Sequence, residues 1–110
     1  KYPTFRPGSS TEQLRKLVPK DGAPVVGMND FWFVFPDRPF LPGDFAGDID
    51  KRLRSKGWDR VYLLDSKFMS DRRTFSRIKS ALRRGYNARE VGKMTEHGKW
   101  PLKVVEYRRK

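Results

Sequence analysis

RVYLLDSKFMSDRRTFSRIKSALRRG, from Arg60 to Gly85, is the stretch on which the fold turns. Val61 and Leu63 point to one side of an extended chain and Tyr62 and Leu64 to the other. Arg60 to Asp65 is therefore expected to be a strand covered on both faces. Ser70 then caps the longest helix, roughly Asp71 to Arg84, and Gly85 ends it. At 100° per residue Phe75, Ile78 and Leu82 fall within about 60° of one another and make the apolar stripe. Such a strand and such a helix call for a small sheet with helices packed on it.

Upstream, Ser9-Ser10-Thr11-Glu12 matches a capping box, and Leu14, Leu17 and Val18 follow at helical spacing until Pro19 stops the run. Pro24 to Met28 and Phe31 to Phe35 read as two strands joined through Asn29-Asp30 into a hairpin. Pro36 to Phe45, with three prolines, is expected to be irregular. Asp48 caps a short helix carrying Ile49 and Leu53, which Gly57 closes. Downstream, Asn87 and Glu90 make a second capping box for a short helix through Met94, and a last strand spans Leu102 to Tyr107. The expected domain is α+β, a mixed sheet of three to four strands in the order α-β-β-α-β-α-α-β. Residues 1–8 form an extended arm, residues 9–107 the domain, and residues 108–110 a basic tail.

A chain of 110 residues accommodates one domain with a modest core. It is 36% hydrophobic and 14% aromatic, so Phe, Trp and Tyr are expected to fill much of that core. With no cysteine and one histidine, His97, disulfides and the usual zinc sites are excluded. His97, without a Ser or Cys partner nearby, reads as a loop residue. No apolar run is long enough to span a bilayer, and an intracellular location without membrane association is expected. The chain opens on Lys1 rather than Met, as a processed product or a fragment would.

Charge gives the strongest functional pointer. The formal net charge is +12, and residues 71–110 hold thirteen Lys or Arg against four acids. A surface of that sign attracts polyphosphate through release of condensed counterions, without base-specific contact. On the long helix Arg73, Arg77 and Arg84 fall opposite the apolar stripe. Arg72, Lys79 and Arg83 form a second row with no acid after Asp71 to pair them. Like charges at this spacing destabilise a helix unless a partner compensates. These six, with Arg89, Lys93, Arg108 and Arg109, are the expected nucleic-acid contacts, for DNA or structured RNA. No cofactor is expected on this reading, and the oligomeric state is not legible.

Two motifs bear on the mode of action. Residues 77–94, RIKSALRRGYNAREVGKM, resemble the helix-turn-helix family: Ala81 where helices approach, Gly85 at the turn, Val91 beneath the second helix. That resemblance implies that Ala88, Arg89 and Lys93 lie towards a major groove. Asp65-Ser66-Lys67 at a strand end, with Pro36-Asp37 upstream, resembles the PD-(D/E)xK nucleases. It implies a Mg²⁺-dependent nuclease with Asp65 as metal ligand and Lys67 as electrostatic partner. An antiparallel pairing of Phe31–Phe35 with Arg60–Asp65 would make Asp30, not Asp37, the second metal ligand, with Glu12 a possible third. A third reading, a structural protein of a ribonucleoprotein particle, has the arm and the tail threading between RNA segments. The exposed half of Phe31, Trp32, Phe33 and Phe35 would offer a base-stacking surface.

Overall fold

The computed structural model describes residues 10–27, 34–42, 48–66, 72–96 and 100–110. In chain order the elements are α1 (Ser10–Leu17), β1 (Val25–Gly27), β2 (Phe40–Pro42), α2 (Ile49–Ser55), β3 (Arg60–Ser66), α3 (Arg72–Gly85), β4 (Tyr86–Glu96) and β5 (Trp100–Arg109). They build a mixed sheet in the order β2-β1-β3-β5-β4. β1 lies parallel to β2 and β3, and β5 runs antiparallel between β3 and β4. The α+β class read from the sequence is the class observed.

β3 is buried as its pattern requires: Val61, Tyr62, Leu63 and Leu64 are all fully covered. Val61 and Leu63 join Ile49 and Leu53 of α2, Ile78 and Leu82 of α3, Tyr86 and Tyr107 in one apolar cluster. Tyr62 and Leu64 join Leu14 and Val18 of α1, Val34, Phe35, Leu102 and Val104 in the other. The sheet thus has an α2/α3 face and an α1 face, a three-layer arrangement in which each face supplies its own core. The expected phase of α3 holds where it can be read, with Ile78 and Leu82 fully buried and Arg73, Arg77, Arg83 and Arg84 exposed, while the side chain of Phe75 lies outside the described residues.

Several local expectations give way. β1 and β5 flank β3, and of the expected strand Phe31–Phe35 only Val34 and Phe35 are among the described residues. Val34 and Phe35 instead pack as irregular chain under α1, and residues 28–33 lie outside the described residues. The proline-rich stretch contributes β2, whose register sets Phe40 beside Val25 and Leu41 beside Val26. Tyr86 to Met94 is no helix but the first part of the long strand β4, so the helix-turn-helix reading falls with it. A helix of some eight residues is marginal alone, whereas β4 pairs with β5 from Tyr86 to Glu96. A β-bulge at Val91, with Glu90 opposite Val105 and Gly92 opposite Val104, breaks the alternation that would have announced a strand. It also turns Gly92 towards α1, where an added Cβ would lie 2.8 Å from Leu17 Cδ2. Arg108 and Arg109 are no free tail but the last residues of β5. That removes half of the threading expected of a particle component, whose other half, residues 1–8, lies outside the described residues.

Gly27 is the tightest position at the β1–β3 junction. A Cβ there would meet Leu64 Cδ1 at 2.9 Å and Leu64 Cβ at 3.2 Å, and Leu64 is fully buried with little room to retreat. Gly27→Ala is expected to destabilise the fold by about 1–3 kcal/mol, the usual cost of overpacking. The shift in urea midpoint at unchanged slope is the measurement that checks it.

Candidate nucleic-acid interface

Two corners of the sheet concentrate the cations, and they lie on opposite faces. The first is on the α2/α3 face at the carboxyl end of β3. Register sets Asp65 beside Lys103 on β5 and Lys103 beside Lys93 on β4, one transverse row. From α3, Lys79 reaches into this row and pairs with Asp65 at 2.8 Å. Lys103 approaches Glu90 at 4.0 Å. Among the described residues Lys93 has no acid partner, and it sits directly across from another lysine, an arrangement that costs stability on its own.

On the same face the outer side of α3 carries Arg73, Arg77 and Arg84, with Arg77 and Arg84 lacking acid partners among the described residues. Arg84 turns back to the carbonyl of Ser80 at 3.4 Å. The second expected row is not wholly free: Lys79 is engaged by Asp65, and the Arg83 guanidinium lies near enough to Tyr107 to oppose the upward push of burial on its hydroxyl. The side chain of Arg72 lies outside the described residues. α2, packed beside α3, adds the exposed Lys51, Arg52 and Lys56, which the sequence reading passed over.

The second corner is on the α1 face at the opposite end of β3. Arg60, Arg108 and Asn87 stand side by side on β3, β5 and β4, and Tyr62, Glu106 and Arg89 form the next row. Glu106 is buried, its side chain 7% exposed, and it holds Arg89 at 3.5 Å and Arg108 at 3.6 Å. Asp21 performs the same task for Arg60 at 2.7 Å and for the buried Arg38 at 2.8 Å. Arg38 also donates to the carbonyls of Ala23 and Pro19, both at 2.7 Å, and lies over the ring of Tyr62. Tyr62 donates its hydroxyl to Asp21 at 2.5 Å. Burial pushes the Tyr62 hydroxyl up to about 12, helped by the Asp21 carboxylate beside it. Burial pushes the Asp21 carboxyl up as well, but the hydrogen bonds from Tyr62, the Ala23 N–H and Arg60, with the Arg38 charge, bring it below its ordinary value.

The ten expected contacts therefore divide. Lys79, Lys93, Arg73, Arg77, Arg83 and Arg84 share the α2/α3 face, Arg89 and Arg108 the α1 face. Arg109 belongs to the interior instead. It donates to the carbonyl of Trp58 at 2.6 Å and lies over the Tyr86 ring, and its Nε is buried without a partner. Lys103 and Arg60, both at strands the sequence showed, went unnoticed because the neighbours of Lys103 come from β4, which was read as a helix, and Arg60 is held by Asp21 of a distant turn.

The residues of the nuclease reading are separated as far as they can be followed. Asp65 is on the α2/α3 face at the end of β3. Asp37 pairs with Arg15 of α1 at 3.4 Å on the other side of the sheet, and Glu12 lies on α1 against Lys16 at 3.6 Å. Asp30 and Lys67 lie outside the described residues. Among the described residues no group of three or more acids or histidines is gathered closely enough to hold a metal ion. No helix is long and apolar enough to cross a membrane among them. No family model, no curated protein and no solved structure matches the chain.

The lowered Asp21 carboxyl makes a pH prediction with a definite sign. A carboxyl depressed on folding contributes stability that is complete above its unfolded value of about 3.9 and disappears as pH falls through the folded value. Urea unfolding of the wild type should weaken between about pH 4 and more acid solution. Asp21→Asn should be less stable at pH 7 by about 1–3 kcal/mol, since it removes the charge from an acceptor of four hydrogen bonds, and should flatten that acid limb.

Proposed function

We propose that the chain binds the phosphate backbone of nucleic acid, duplex DNA or structured RNA, through the α2/α3 face. The contacts are Arg73, Arg77 and Arg84 on the outer side of α3 and Lys93 and Lys103 on the β4–β5 hairpin beside it. The observation that carries the reading is the like-charged cross-strand pair Lys93 and Lys103, with Arg77 and Arg84 lacking acid partners among the described residues. A fold that only needed a solvated surface would gain by placing an acid opposite Lys93. A phosphate placed between the two strands offsets that repulsion, and its displaced counterions supply free energy of binding. Arginine on α3 suits this role, because its planar fork engages two phosphate oxygens together.

The mode implied is contact by a helix flank and a hairpin with the backbone, in place of a recognition helix entering a groove. Arg77, Arg84 and Lys93 are exposed and without acid partners among the described residues, so binding is expected to depend on charge and shape more than on sequence. Fluorescence anisotropy with labelled duplex DNA and duplex RNA, repeated over a salt series, tests it. Affinity should fall steeply with salt, by a log–log slope of about 0.9 for each B-form phosphate contacted. Replacing Arg77, Arg84, Lys93 and Lys103 together by Gln should weaken binding and make the slope shallower. An unchanged slope in that variant would remove this face from consideration.

A further inference from the structure

The cluster on the α1 face has no role in that reading, although it is the best organised charged surface on the molecule. Four guanidinium groups, those of Arg38, Arg60, Arg89 and Arg108, converge on two carboxylates, Asp21 and Glu106. Arg38 is spent inside, with 6% of its side chain exposed. The other three stand in adjacent strands, and the side chains of Arg89 and Arg108 are 70% and 54% exposed. Each of these two touches Glu106 through one nitrogen, at more than the 2.7–2.9 Å of a tight charged hydrogen bond. Most of each fork is therefore open to solvent while its position is held from below.

Neutralising a buried carboxylate does not call for two half-exposed arginines. One well-placed guanidinium satisfies it bidentately. What the surplus does is present a row of oriented donors, Arg60, Arg108 and Arg89 with the Asn87 amide among them, across the surface of the sheet. A phosphodiester chain fits this surface, because Glu106 is covered, Asp21 is engaged by Arg38 and Arg60, and the outward charge of the row is positive.

We propose that this corner is a second phosphate-backbone contact, so that one molecule bridges two nucleic-acid segments. The inference rests on the reading of the α2/α3 face as the first contact. The sheet separates the two corners, and they face in opposite directions. The molecule measures 35 × 28 × 24 Å, while a duplex stays nearly straight over a far greater length, about 50 nm. A single duplex lying on one face does not reach the other, and two do.

A capture experiment tests this. A short biotinylated duplex is fixed to a surface, the protein is bound to it, and a second, fluorescent duplex is added; DNA and RNA duplexes are run as parallel arms. The wild type should retain the second duplex. The double variant Arg89→Gln, Arg108→Gln should still bind the fixed duplex to within about threefold yet lose about tenfold of the captured signal. Because that variant also removes both partners of Glu106, Asn87→Glu, which keeps Arg89 and Arg108 and sets a carboxylate beside Arg108, should lose capture in the same way. Circular dichroism confirms that both variants are folded. Wild type that binds the fixed duplex without capturing a second overturns the bridge and leaves the first contact standing. Capture that persists in both variants overturns it too, placing the second contact elsewhere. Failure of the wild type to bind even the fixed duplex removes both readings at the first step.

Discussion

β5 lies antiparallel between β3 and β4, and nearly everything of interest depends on this placement. It pairs with β3 from Arg60 to Ser66 and with β4 from Tyr86 to Glu96, so a single register carries side chains across three strands. Lys103 comes to lie beside both Asp65 and Lys93, and Arg108 beside both Arg60 and Asn87. A shift of one residue would turn every one of these to the opposite face. The apolar residues forbid such a shift, since Leu102 and Val104 must enter one core and Tyr107 the other. Hydrophobic burial fixes the register, and the register then arranges the charges.

The two charged corners follow different designs. On the α2/α3 face the cations are borne on long side chains with acids at the margin, and the repulsion between Lys93 and Lys103 is left standing. On the α1 face Glu106 is covered with the guanidinium groups of Arg89 and Arg108 above it, so orientation has been obtained at the cost of desolvating that carboxylate. Burying a carboxylate is expensive unless it is well paired: the covered Glu106 is held by two guanidiniums, while the part-exposed Asp21 accepts from two guanidiniums, a phenol and a backbone N–H. The Tyr62 hydroxyl gives its one proton to Asp21 and lies 3.4 Å from Glu106, so the two acids sit in one cluster.

What could be read in advance was whatever depended on local pattern. The doubly apolar run of β3 and the stripe of α3 announced themselves, and their burial follows from period alone. β4 did not, for two physical reasons. Asn87 and Glu90 carry the chemistry of a helix start, and the bulge at Val91 removes the period of two that a strand would show. β2, at three residues with a proline at its end, has too little length for any period. The cations of α3 were correctly placed on the outside, but pairing across strands decides which charges meet, and pairing was the part the misread segment concealed. Asp21 escaped notice because it looks like ordinary turn chemistry in Lys20-Asp21-Gly22; its role exists only once Arg38 and Arg60 arrive from elsewhere in the chain.

The position of β5 also has a consequence for assembly on the ribosome. β3, α3 and β4 leave the tunnel in that order, yet β3 and β4 are not neighbours and cannot pair with each other until β5 emerges to fill the gap. Until residues 100–109 are available, β3 presents an open apolar edge and α3 rests on an incomplete floor. Closure then requires contacts between segments some forty residues apart, which is entropically slow. The nascent chain therefore passes through an interval in which its most hydrophobic strand is half dressed, the condition in which partly folded chains are prone to aggregate.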